Sequence, residues 1–112
     1  MLKRKYRATR ADIEETTKTG ITITGKFLYA KISRNEAKDM GFAIIVSKRN
    51  EKTSVGRHLI KRKISSYIEE NISNINPNFK KTVVFLMKKI GEPINYTEMK
   101  NDVEFILEKT AF

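Results

Sequence analysis

The chain has 112 residues, with 23 Lys and Arg against 13 Asp and Glu and a net charge of +10. That length supports one compact domain with a modest core, and the absence of cysteine excludes a disulfide framework and any thiolate metal site. So large a positive charge points to a polyanionic partner, most commonly nucleic acid, while no stretch approaches the roughly 20 apolar residues of a membrane span.

Residues 1–8 read as a basic arm, expected to be loosely ordered. No apolar segment follows it, so it is not a signal peptide, and a cytoplasmic protein is the simple inference. Thr9 with Asp12 three residues later resembles a capping box. It predicts a helix from about Arg10 to Thr19 that ends at Gly20, a residue suited to a left-handed exit. Ile21 to Thr24 alternates with period two, Gly25 interrupts, and Lys26 to Ile32 resumes the alternation. Leu28, Ala30 and Ile32 form the core face of that strand. Phe27, Tyr29 and Lys31 form the other, two aromatics and a cation, which suits base stacking and phosphate contact or an ordinary half-exposed sheet face.

Ser33 to Met40 is a polar turn. Phe42 to Val46 is an unbroken apolar run and reads as a buried central strand. A helix is predicted from about Ser54 to Asn71, anchored by Ile60, Ile64, Tyr67 and Ile68. Asn74 to Asn78 has turn chemistry, and Thr82 to Met87 is a second buried strand. Ile90 to Asn95 is a loop, and the last helix carries Tyr96, Met99, Val103, Ile106 and Leu107 on one stripe. Helix, two or three strands, helix, strand and helix make an α+β domain with helices against a small sheet.

The stretch with the clearest chemistry is Lys48 to Lys63, which holds seven Lys or Arg and a single acid, Glu51. Residues four apart share a helix face, so Arg57 aligns with Lys61 and His58 with Arg62. Ser65 continues between these two rows. A solvated helix usually alternates charge sign along its face; this one does not. The pattern suits docking on RNA. His58 is the only histidine, and no acidic cluster has metal-ligand spacing, so an autonomous nuclease site is not indicated. A DNA-binding helix-turn-helix would need a second helix just before the basic one, where Phe42 to Val46 reads as strand. These residues equally fit a structural RNA-binding protein with no catalytic partner.

Val46-Ser47-Lys48-Arg49, followed by Lys52-Thr-Ser-Val55 and Arg57-His58-Leu59-Ile60-Lys61-Arg62, resembles the protein component of bacterial ribonuclease P. That family has a strand ending V-S-K-K/R and then A-V-x-R-N-x-x-K-R on the next helix. The layout from Arg7-Ala-Thr-Arg-Ala-Asp12-Ile13 to Gly20 and the strand-loop-helix from Thr82 to Leu107 also fit, so most of the chain is covered. Ser47, Lys48, Arg49, Arg57, Lys61 and Arg62 keep the family's chemistry. Departures fall at Ile13, Thr17, His58, Leu59 and Ser65.

The resemblance implies an α-β-β-β-α-β-α two-layer sandwich with a left-handed βαβ crossover, a fold shared with one domain of a small-subunit ribosomal protein. It implies that the chain serves as a monomer beside one catalytic RNA, which cuts the 5′ leader from precursor tRNA with Mg²⁺ held mainly by the RNA. Lys48, Arg49, Lys52, Arg57, His58, Lys61, Arg62 and Lys63 would then contact RNA. Ile13, Thr17, Phe27, Tyr29 and Lys31 would line a cleft for the single-stranded leader. No residue of this chain would be catalytic or hold a metal.

Overall fold

In the computed structural model, residues 2–88 and 93–112 are described. The first helix, α1 (Arg10–Thr19), starts where Thr9 Oγ1 accepts the Asp12 N–H at 3.2 Å, the N-cap arrangement that satisfies an otherwise orphaned donor. It ends at Gly20, but not through a left-handed turn: Gly20 is extended, at φ −68° and ψ 160°. Glycine is required there by closeness, because a Cβ would lie 2.4 Å from the Thr16 carbonyl oxygen and 2.9 Å from that of Ile32.

The strands are β1 (Ile21–Thr24), β2 (Leu28–Ile32), β3 (Gly41–Ile45) and β4 (Thr82–Met87), in the spatial order β1-β2-β4-β3. β1 and β2 pair antiparallel, as do β2 and β4, whereas β3 and β4 are parallel. A parallel pair needs a crossover, and it is supplied here by α2 (Ser54–Asn71); α3 (Tyr96–Thr110) closes the chain.

Three expectations need correction. β2 starts at Leu28 and not at Lys26, because the Asp102 carboxylate accepts the backbone N–H groups of Lys26, Phe27 and Leu28 at 2.9, 2.6 and 3.1 Å. A Cβ on Gly25 would meet that carboxylate carbon at 2.6 Å, so only glycine lets the turn sit this close. β3 is an edge strand, not a central one. An apolar run reports burial without saying which neighbour provides it, and here the N-terminal arm covers the edge. Finally, that arm is packed and not loose over residues 2–8. Leu2 is buried in the core, Arg4–Tyr6 form a turn of 3-10 helix, and Ala8 N–H donates to the Phe42 carbonyl at 3.0 Å. The predicted loop from Ile90 lies outside the described residues up to position 92.

One face of the sheet presents Leu28, Ala30, Ile32, Phe42, Val83, Phe85 and Met87 to α2 and α3. From the helices come Ile60, Ile64 and Ile68, then Met99, Val103, Ile106 and Leu107, all buried as the periodicity requires. Each such side chain contributes about 1.5–3 kcal/mol through burial, so α2 is held rigidly by one arc. On the opposite face α1 lies across β4, which explains why Val84, on the alternate side of β4, is fully buried outside the main core. α1 covers only part of that face.

Candidate nucleic-acid interface

The buried arc of α2 orients its cations. Arg57 and Lys61 flank the arc and are half-buried, whereas His58 and Arg62 stand in solvent. Thr53 caps the helix by accepting the Gly56 N–H at 3.0 Å. Ion pairs among the described residues are Arg10–Glu14, Lys26–Glu98 and Lys100–Glu70. None of them uses a cation between positions 48 and 63, and Glu51 is the single acid of that stretch, so the edge keeps a strong net positive potential.

Not every expected cation points the same way. Lys63 lies across α2 from the Arg57–Arg62 rows at 100° per residue, and its Nζ sits 5.5 Å from the centre of the Tyr96 ring. The structure therefore does not bring Lys63 together with the others. Arg57 is turned partly back: its Nη1 donates to the carbonyls of Glu51 and Lys52 at 3.0 and 2.8 Å. It ties the preceding loop to the helix while the rest of the guanidinium remains at the surface. Lys48, Arg49 and Lys52 in that loop are exposed.

The second surface is the part of the sheet that α1 leaves open. Tyr29 and Lys31 are half-buried there, next to Thr24 and Thr22 of β1 and to Leu86 and Val84 of β4. Ile13 and Thr17 are four apart on α1, beside the buried Thr16, and both are half-buried. The Thr17 hydroxyl donates to the Ile13 carbonyl at 2.7 Å. Phe27 is a correction. It is only 1% exposed and precedes β2, with its backbone held by Asp102. Its ring belongs to the scaffold and offers no stacking surface.

Two lining residues escaped the sequence reading. Ile45, 37% exposed, and half-buried Leu86 are cross-strand partners on the Tyr29 side of the sheet. Both lie in unbroken apolar runs, which hide the alternation that would have exposed them. A hollow of about 250 Å³ lined by Arg7, Ile13, Ala43, Lys61 and Ser65, among others, lies between the α1 side and the cationic edge of α2. The two surfaces thus adjoin. Away from them, burial, and after it the charges of Tyr96 and Glu70, raises the Tyr67 hydroxyl pKa.

Comparison with known proteins gives a consistent answer. The family described as ribonuclease P matches residues 2–111. A structure of the Staphylococcus aureus RNase P protein is similar at 23% identity and a TM-score of 0.75, covering 93% of this chain and 94% of that one. A mutant of the S. aureus protein, with defective mRNA degradation activity, reaches a TM-score of 0.79 at 21% identity, over 97% and 92% of the two chains. The Thermotoga maritima RNase P protein gives 0.72 at 16% identity, over 92% and 96%. No curated protein sequence matches the chain.

Proposed function

The chain belongs to the ribonuclease P protein family, and on that premise we propose that its two adjoining surfaces grip two different RNAs. It is the protein subunit of an endoribonuclease of tRNA processing, with catalysis performed by the RNA. In this reading the cationic edge of α2 docks on the catalytic RNA through Arg57, His58, Lys61 and Arg62, with Lys48, Arg49 and Lys52 beside them. The open sheet face and α1 take the 5′ leader of precursor tRNA along Ile13, Thr17, Tyr29 and Lys31.

The observation that carries this reading is the set of exposed and half-buried cations on the α2 edge and its preceding loop, none of which forms an ion pair among the described residues. Each phosphate they neutralise releases counterions and adds about 0.7–0.9 to the slope of log affinity against log salt. Stacking on Tyr29 would add about 1–3 kcal/mol per base without reading sequence. That profile suits a subunit that must accept many leaders. Mg²⁺, in this reading, is held mainly by the RNA. Among the described residues no group of three or more His, Cys, Asp or Glu could hold a metal ion, and the chain's own part is to bind, orient and screen charge. No helix among the described residues is long and apolar enough to cross a membrane, and we place the assembly in the cytoplasm as one protein with one RNA.

Reconstitution tests the proposal. Added to a bacterial ribonuclease P RNA at low Mg²⁺, the chain should restore 5′ cleavage of precursor tRNA and lower the KM of a long-leader precursor more than that of a precursor with a one-nucleotide leader. RNA binding without any gain in cleavage would instead favour a structural RNA-binding role.

A further inference from the structure

Between β3 and α2 the chain runs out through residues 47–53, the segment that carries Lys48, Arg49 and Lys52. A charged surface loop of this kind is ordinarily mobile, but this one is tied at both ends. Asn50 Oδ1 accepts the Ser47 backbone N–H at 3.0 Å and the Ser47 hydroxyl at 2.9 Å. The backbone N–H groups of Asn50 and Glu51 both donate back to the Ser47 carbonyl, at 3.0 and 3.2 Å. The Asn50 amide nitrogen also points across to the end of β4, at longer range: 3.4 Å from the Met87 carbonyl and 3.5 Å from that of Lys88. From the helix side, Arg57 Nη1 holds the carbonyls of Glu51 and Lys52. Glu51, the single acid of the segment, accepts from the Thr53 N–H and hydroxyl at 3.2 and 3.3 Å. It is engaged within the loop and pairs with none of the cations among the described residues.

We propose that Asn50 is a positioning residue for RNA binding: a half-buried, uncharged amide that holds the loop in one shape so that Lys48, Arg49 and Lys52 meet phosphates at fixed spacing. The inference rests on the reading that the α2 edge docks on the catalytic RNA. Its physical basis is preorganisation, because a loop already ordered in the free protein loses less conformational entropy when it binds. Asn50 itself need touch no RNA. Two hydrogen bonds to Ser47 define the turn, and the contacts toward Met87 and Lys88 fix that turn relative to the sheet.

A double-mutant cycle separates this role from a general effect on folding. Affinity for the ribonuclease P RNA would be measured across a salt series for four full-length proteins. They are the unaltered chain, Asn50→Ala, the triple variant Lys48→Ala/Arg49→Ala/Lys52→Ala, and the combination of all four changes. Asn50→Ala should weaken binding about tenfold and make the salt slope shallower by about one contact, roughly 0.7–0.9. In the triple background the same change should have almost no further effect, within about twofold, because there are no cations left to position. Ser47→Ala, which removes only the 2.9 Å hydroxyl contact, should show the same coupling at about threefold and serves if Asn50→Ala does not fold.

An equal loss in both backgrounds would show that Asn50 acts through overall stability, and no loss in the unaltered background would show that it does not act at all; either overturns the inference. A triple variant that binds like the unaltered chain would remove the loop from the interface and overturn the inference at its premise. Restoration of precursor cleavage, measured separately, would still stand as the test of the function itself.

Discussion

The two surfaces of this molecule are built on opposite principles. The α2 edge is polar and cationic, sits on a helix whose apolar arc is fully buried, and lacks acidic partners among the described residues. The open sheet face is largely neutral. Tyr29, Ile45, Leu86 and two threonines of β1 surround a single Lys31. The first should respond steeply to salt and little to base identity or stacking, the second the reverse. In the proposed reading, a subunit that holds one RNA and many different leaders could therefore tune the two grips independently, although they share a scaffold.

The largest expected effect tests the charged side. Arg57→Ala with Lys61→Ala should weaken binding to the catalytic RNA about 100-fold and reduce the salt slope by about 1.4–1.8, two contacts' worth. An unchanged slope, read by filter binding across a salt series, would remove this pair from the interface. Part of the loss will come from the loop, because Arg57 also holds the Glu51 and Lys52 carbonyls.

Comparable in size is a change beneath the neutral side. Asp102→Ala would leave the three N–H groups of Lys26, Phe27 and Leu28 without their acceptor. Hydrogen bonds to a buried charged group contribute roughly 1.5–3 kcal/mol each, but such terms are not additive, so about 3 kcal/mol of stability should be lost in urea unfolding. If the two surfaces are independent, the variant that remains folded should bind the catalytic RNA with the normal salt slope.

Tyr29→Ala sharpens the comparison further. Precursor tRNA should bind the holoenzyme about tenfold more weakly, within the range of one stacked base, with mature tRNA and the salt slope unaffected. Equal weakening of precursor and mature tRNA would place Tyr29 outside the leader path. The smallest effect belongs to Lys63→Ala. With its ammonium over Tyr96 and across α2 from the other cations, RNA affinity should change by less than about twofold, the scale of a remote exposed charge under screening. A loss as large as that of Lys61→Ala would mean that the RNA wraps around α2.

The local features were legible in the residues. α1 and α2 occupy the expected ranges and the apolar stripes of α2 and α3 are buried as read except for half-buried Tyr67 and Tyr96, because helical periodicity and capping depend on neighbours three or four positions away. The cationic rows on α2 follow from the same spacing. Tyr29 and Lys31 share the face that alternation assigned to them. Phe27 does not reach the surface: it precedes β2, which starts only at Leu28 beside a carboxylate from α3 that alternation cannot foresee.

Sequence by itself determined which helices form, where their apolar sides lie, and that a block of seven positive charges holds a single acid, Glu51. These are properties of composition and short-range spacing. Tertiary structure alone decided that β3 is an edge covered by the arm, that Lys63 faces Tyr96 and that Ile45 pairs with Leu86 on the open sheet face. It also brought Asp102 to backbone N–H groups about 75 positions away in the chain. Each of these depends on contacts between segments far apart in sequence, whose proximity is created only when the sheet order is set and the helices close over it.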